Sequence, residues 1–270
     1  MFTNGISSNM EFDLLIQIVG LIFAGVVKGI SGFAFGLLAV GLLVTFYSPK
    51  IVIPSLLLLY FITGSILVFE HRKLITKDFL KNNPIFSLPS ILIALIGLPL
   101  GTYILNYANR VQITISLGIL ISIVSLYYLL REIRDQKFSS IGNNDIKIVD
   151  GKMACYLSSF SAGLLEGFLG LGGPPLVIFM LFKRYNKYFF IASFSLFFLI
   201  LSPFRLTIYL SMGFYNLETL KLSGFVFTFV VAGLLLGILI RRRFVNDRIF
   251  RKIVIAILFL IGFNLILKQL

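Results

Sequence analysis

Residues 153–183 read MACYLSSFSAGLLEGFLGLGGPPLVIFMLFK, an apolar stretch that GLGGPP (Gly170–Pro175) interrupts near its middle. Its length of roughly 30 residues exceeds the ~20 that one membrane-spanning helix needs, yet is too short for two full spans and a turn. Glycine and proline at its centre disfavour a continuous helix. The stretch therefore predicts a broken or re-entrant helical hairpin, whose irregular backbone is buried in protein or lines a cavity.

A second stretch of this kind, residues 13–47, opens the chain. Within it, AGVVKGISGF (Ala24–Phe33) aligns without gaps with AGLLEGFLGL (Ala162–Leu171), 138 residues further on. The same offset pairs Ser55 with Ser193, and GLPLG near residue 100 resembles GLLLG near residue 235 at almost that offset. Small residues recur in packed membrane helices, so chance is one explanation. The shared spacing and position favour an internal duplication instead.

The other apolar segments are long enough to cross a bilayer as helices. Together with the two hairpins they predict an all-α integral membrane protein of two repeats, 1–131 and 153–270, joined by a polar linker at 132–152. Each repeat would hold one re-entrant segment and three transmembrane helices, at 50–69, 85–106 and 111–131 and at 188–211, 217–240 and 250–269.

The loop charges indicate how these segments are oriented. Lys and Arg concentrate in the connections 70–83, 131–152, 183–188 and 241–252, whereas the connections 47–50, 106–111 and 211–221 hold one each. If both hairpins return to the side from which they enter, all the basic connections lie together, and the positive-inside rule makes that side cytoplasmic. The odd number of crossings in each half then predicts inverted repeats, which are typical of transporters.

Composition excludes several classes of protein. Hydrophobic residues make up 58% and charged residues 13%, with a mean hydropathy of +1.00, which fits a bilayer and not a soluble domain. The net charge of +13 lies in loops, so we expect no nucleic acid partner. With a single Cys and a single His, we expect no metal and no cofactor. The polar start, without a basic n-region, predicts no cleaved signal peptide.

The chain resembles the TauE/SafE family of sulfite and organosulfonate exporter-like permeases. The resemblance depends on AGxxxGxxG at the opening of each half, the GLGGPP break, a serine-bearing second helix and the central polar linker. It implies a multi-pass permease of the cell membrane, such as a bacterial inner membrane, that moves small sulfur-containing anions bound between the re-entrant segments. The first break departs from the family pattern, because Gly32–Gly36 includes the bulky Phe33 and Phe35.

The second break has the composition of an anion site. A helix that starts in mid-membrane presents free N–H groups and the positive end of its dipole. Pro174 and Pro175 suit its first turn, while Gly170, Gly172 and Gly173 allow close approach of a ligand. A kink made only for packing is the alternative.

Lys28 and Glu166 occupy equivalent positions, four residues before Gly32 and Gly170. An unpaired charge at mid-membrane is costly, so each of these two charges needs an explanation, and three are open. In the first, Lys28 and Glu166 form a structural ion pair. In the second, Lys28 contacts substrate while Glu166 carries a coupling proton, and in the third both lie at a wet or interfacial depth.

Further candidates come from polar residues in apolar segments. Arg205, just after Pro203, either guards an outward vestibule or reaches the outer interface. The hydroxyls of Ser31, Ser55 and Ser193 would donate to an oxyanion or serve helix packing, and Gly32 and Phe33 would line the first break.

The predicted function is transport of a small anion by alternating access. The alternatives are an anion channel and a permease for a different small anion or organic acid. A membrane-embedded enzyme is less favoured, because HExxH and GxSxG patterns are missing. The expected partners are the lipid bilayer and the anion; the sequence leaves a homodimer open.

Overall fold

The computed structural model describes residues 4–32, 35–137, 151–182, 187–243 and 259–267, and the backbone there is helical apart from short turns. In the first half the helices are α1 (Asn4–Ser31), α2 (Phe35–Leu43), α3 (Pro49–Glu70), α4 (Lys77–Asn82), α5 (Leu88–Tyr107) and α6 (Arg110–Lys137). In the second half they are α7 (Gly151–Leu169), α8 (Gly173–Phe182), α9 (Lys187–Ser211) and α10 (Leu217–Arg243), followed by helical residues 259–267. A 3₁₀ turn at Pro84–Phe86 precedes α5.

The predicted class, an all-α integral membrane protein, is confirmed. Six of the described helices are long and apolar enough to cross a membrane: α1 from Glu11 onward, α3, α5, α6 as far as Tyr127, α9, and α10 as far as Arg241. Large apolar side chains on these helices, including Leu92, Ile123 and Leu239, are exposed on the outside of the molecule. Such a surface is stable in lipid and aggregates in water.

The two overlong segments are each broken into a pair of helices, α1–α2 and α7–α8. The first helix of each pair ends at a glycine with positive φ, Gly32 at +79° and Gly170 at +70°. In that left-handed conformation glycine terminates a helix without the strain that a Cβ would bring. The two glycines are partners in the sequence repeat, so the duplicated motif marks both breaks. Whether either pair is re-entrant stays a prediction, since α1 is by itself long enough to cross.

Helical structure also occurs in connections that the apolar segments leave out. α6 continues through REIRDQK to Lys137, which the sequence analysis placed in the linker, because these residues are good helix formers whether or not lipid surrounds them. The rest of the linker, residues 138–150, lies outside the described residues. The connection 70–83 contains α4, whose start is capped where the Thr76 hydroxyl accepts from the Phe79 N–H (3.2 Å).

The repeated glycine motifs pack against each other across the halves. Gly25 and Gly29 of α1 lie against the backbone of α10 at its GLLLG motif, and a Cβ at Gly29 would lie 2.5 Å from the Leu234 carbonyl oxygen. In the same way α7 packs on α5 at GLPLG, and a Cβ at Gly167 would lie 2.1 Å from the Leu98 carbonyl oxygen. Close backbone contact of this kind needs small residues. Each broken helix pair is therefore held by the other half of the chain.

Candidate functional site

A cavity of about 50 Å³ lies where the two breaks meet. Because one water needs roughly 10–15 Å³ of such space, the cavity has room for about three to five atoms, the size of a small oxyanion. The lining residues come from both breaks and from α3, α6 and α9; they are Lys28, Gly32, Phe35, Gly36, Leu37, Tyr60, Gly64, Val124, Glu166, Gly170, Leu171, Gly173, Pro174, Phe194, Ser195 and Phe198.

Lys28 brings a positive charge into this cavity from the last turn of α1. Its side chain is buried, and its ammonium nitrogen lies 5.2 Å from the Phe35 ring centroid and 5.0 Å from that of Tyr60. Aromatic faces and the negative end of the helix dipole both stabilise an ammonium here. Among the described residues the Lys28 ammonium has neither a hydrogen bond nor an ion pair. The cation is therefore available to a ligand.

Tyr60 connects the two breaks. Its ring meets Phe35 edge to face, with centroids 5.3 Å apart, and covers the Lys28 ammonium beside the first break. Its hydroxyl donates to the Gly170 carbonyl oxygen (3.0 Å) at the second break. The sequence does not predict a role for Tyr60, because nothing in its own segment distinguishes it from an ordinary interfacial or core tyrosine.

Glu166 pairs with Arg205 and not with Lys28. One carboxylate oxygen accepts a hydrogen bond from the Arg205 guanidinium, and the other accepts from the Gly172 N–H (2.9 Å). Of the three interpretations of these charges, the Lys28–Glu166 ion pair is therefore wrong, because the partner of Glu166 is Arg205. A buried carboxylate needs such partners, since an uncompensated charge there costs several kcal/mol.

Arg205 occupies a different place from either of those predicted. It is fully buried, so it neither guards an outer vestibule nor reaches the interface. Besides Glu166 it donates to the Tyr209 hydroxyl (2.8 Å), which itself donates to the Gly167 carbonyl oxygen (3.0 Å). This network fastens α9 to the end of α7, so Arg205 supports the second break without lining the cavity.

The start of α8 offers fewer donors than GLGGPP suggested. Pro174 and Pro175 have no N–H, and Glu166 already occupies the N–H of Gly172. Gly173 keeps its N–H, for which the described residues supply no partner, and it lines the cavity together with Pro174. Gly172 is needed for packing, because a Cβ there would lie 2.3 Å from the Ala162 carbonyl oxygen. Gly172 and Pro175 are not among the lining residues.

Ser195 is the serine that lines the cavity. Its hydroxyl oxygen is buried and has no hydrogen-bond partner in the described part of the chain. The sequence analysis chose Ser193, whose position in the repeat matches Ser55. Two residues apart on a helix, Ser193 and Ser195 point in nearly opposite directions, and the Ser193 oxygen instead accepts from the Asn83 amide (2.7 Å).

The remaining predicted serines also lie outside the cavity. The Ser31 hydroxyl donates to the Val27 carbonyl oxygen (2.7 Å) and that of Ser55 to the Ile51 carbonyl oxygen (2.5 Å), one turn back on their own helices. Phe33 lies outside the described residues. Of the predicted site residues, the cavity brings together Lys28, Gly32, Glu166, Gly170, Gly173 and Pro174.

The site has the chemistry to bind a small anion. The polar groups of its lining that have no hydrogen-bond partner among the described residues are the Lys28 ammonium, the Ser195 hydroxyl and the Gly173 N–H, and each can donate a hydrogen bond. Aromatic and aliphatic side chains, such as Phe194 and Phe198, form the rest of the wall. Among the described residues no cluster of His, Cys, Asp and Glu could hold a metal ion.

Comparison with known proteins identifies a family. The family model described as Sulfite exporter TauE/SafE matches residues 17–265, nearly the whole chain. No curated protein and no solved structure matches the chain significantly.

Proposed function

Because the chain belongs to the TauE/SafE family of membrane transporters, we propose that it is a permease for a small sulfur-containing anion such as sulfite, thiosulfate or an organosulfonate. The unpaired ammonium of Lys28, buried in a cavity between two broken helices, carries this proposal. A buried cation without a counter-ion is costly in a membrane, and an anionic substrate removes that cost. The volume limits the substrate to a few atoms.

Alternating access is the mechanism that the packing supports. α1 packs on α10 and α7 packs on α5, so a helix of each broken pair is held by the other half, and both breaks line the cavity. If the halves are inverted relative to each other, as the loop charges indicate, rocking one against the other opens the cavity to alternate sides. In this orientation the basic connections and the central linker face the cytoplasm of a cell-membrane protein.

Glu166 is our candidate for the site of a coupling proton. It is the one carboxylate lining the cavity in the described part of the chain, and it holds Arg205 and the N–H of Gly172 together. Protonation would weaken both contacts and loosen the start of α8. A proton taken up on one side of the membrane would thereby change how α7 and α8 are held.

Flux measurements in proteoliposomes test the proposal. Radiolabelled sulfite, thiosulfate and small sulfonates would be offered with and without an imposed pH gradient. We expect saturable uptake of at least one of them, faster with the gradient. Flux that rises linearly with concentration would instead indicate a channel, and no flux of any of them through folded protein would contradict the assignment.

A further inference from the structure

With Lys28 protonated, the charged groups around the cavity add up to a single positive charge. Lys28 and Glu166 are the charged residues among its described lining, and Glu166 is neutralised by Arg205. The two residues of the first break that the structure does not describe, Phe33 and Ala34, carry no charge. With Lys28 protonated, one negative charge on the ligand gives a neutral site.

The cavity also has too few hydrogen-bond donors to satisfy an anion that carries acceptor oxygens on every side. The Lys28 ammonium, the Ser195 hydroxyl and the Gly173 N–H lie around the cavity, while Phe35, Phe194 and Phe198 present rings. An oxygen that faces an aromatic wall loses its hydrogen bonds to water without replacement, which is unfavourable. A methyl group in that position gains from burial.

From this charge balance and wall composition we propose that the cavity selects monovalent anions over divalent anions such as sulfate. The preferred anions carry a methyl group or a protonated group where sulfate has a further charged oxygen; hydrogensulfite and methanesulfonate are examples. This selectivity rests on the proposed function and narrows it. A second negative charge would enter the low-dielectric interior with no cation to balance it, and the cost of an unpaired buried charge decides against it.

Methanesulfonate and sulfate are a matched pair for the test. Both are tetrahedral and similar in size, and they differ in one vertex, a methyl group or a charged oxygen. Binding would be measured as thermal stabilisation of the detergent-purified protein over a ligand titration, since a ligand that binds the folded state raises its stability. Transport of the two ³⁵S-labelled anions would be measured in parallel.

We expect methanesulfonate to bind at least about tenfold more tightly than sulfate, which corresponds to about 1.4 kcal/mol. Equal binding, or tighter binding of sulfate, would overturn the selectivity while leaving the sulfur-anion permease intact. If methanesulfonate, sulfate and sulfite neither bind nor cross the membrane, the permease assignment fails together with the selectivity. Binding and transport measurements on the wild-type protein are therefore sufficient to test the proposal.

Glu166→Gln tests the charge balance itself. Without the carboxylate, Arg205 keeps its charge and the site gains a second positive charge, so the binding ratio of sulfate to methanesulfonate should rise about tenfold. The matched control is Glu218→Gln, which removes a carboxylate from an exposed position at the start of α10 and should leave the ratio unchanged. An unchanged ratio in folded Glu166→Gln protein would contradict the charge argument. Should that variant not fold, the wild-type comparison still stands as the test.

Discussion

Lys28 and Glu166 hold equivalent positions in the two sequence repeats but have opposite surroundings. The ammonium of Lys28 faces two aromatic rings without a counter-ion, whereas the carboxylate of Glu166 is held by Arg205 and a peptide N–H. The sequence could identify both residues, because charges within apolar segments are rare and visible. It could not identify their partners, since Arg205 lies on another helix and its position is fixed by tertiary packing.

Ser195→Ala tests the assignment of a single hydroxyl. The hydroxyl has no partner in the described structure, so its removal relieves an unmet hydrogen bond and should leave the melting temperature unchanged or slightly higher. Anion affinity should fall at least about tenfold, as expected for a lost hydrogen bond to a charged ligand worth about 1.5–3 kcal/mol. Thermal melting in detergent, with and without sulfite, measures both effects.

Ser202→Ala is the matched control on the same helix. Its hydroxyl donates to the Phe198 carbonyl oxygen (2.7 Å), and Ser202 is not among the cavity-lining residues. Its anion affinity should equal that of the wild type. The assignment of Ser195 would be wrong if Ser195→Ala bound the anion normally.

The helix breaks show what local sequence determines at the scale of an element. Both could be predicted, because each apolar segment is too long for one span and is interrupted by glycine near its middle; the structure places a glycine of positive φ at each break. The extension of α6 to Lys137 was missed, since hydropathy reports the edge of the apolar segment and not the last helical residue. The cavity wall was missed in part, because the aromatic residues of α3 and α9 reach it only through packing of separate helices.

Glycine-to-alanine substitutions test the close contacts between helices. A Cβ at Gly101 of α5 would lie 2.0 Å from the Leu164 carbonyl oxygen, and one at Gly237 of α10 would lie 2.3 Å from the Val26 carbonyl oxygen. Each substitution forces the helices apart, so each should lower stability by about 1–3 kcal/mol. Thermal melting monitored by size-exclusion chromatography would show the two variants, one in each half, destabilised alike.

Gly224→Ala provides the control for these variants. Gly224 also lies in α10, but no neighbouring atom would lie within 4 Å of a Cβ added there. Because alanine favours a helix more than glycine does, its melting temperature should stay the same or rise. Equal melting temperatures for Gly101→Ala and Gly224→Ala would show that the α5–α7 contact is looser than described.

At the scale of the whole molecule, each half supplies the support for the other half's broken helices. α1 packs on α10 and α7 on α5, with the repeated glycines on both sides of each contact. The sequence predicted the repeat, while the exchange of partners between halves appears only in the structure, because spacing along the chain does not say which helices meet. This arrangement places a motif from each half at the cavity.

Cysteine labelling tests the proposed orientation of the halves. In a Cys155→Ser background, Lys73→Cys lies in a basic connection, whereas Asn109→Cys and Asn216→Cys lie in connections with few basic residues. A membrane-impermeant maleimide applied to intact cells should label the two asparagine positions and spare position 73 until the membrane is opened. Labelling of position 73 together with only one of the other two would contradict inversion of the halves.

The central claim is that the Lys28 ammonium binds the transported anion, and sulfite uptake by Lys28→Met proteoliposomes tests it most directly. Methionine keeps much of the side-chain length and removes the charge, and Lys221→Met removes the same charge from an exposed site on α10. We predict saturable uptake in the wild type and in Lys221→Met, and a loss of about tenfold or more in Lys28→Met, since the ligand loses its one unpaired cation. Wild-type uptake by folded Lys28→Met protein would contradict the claim.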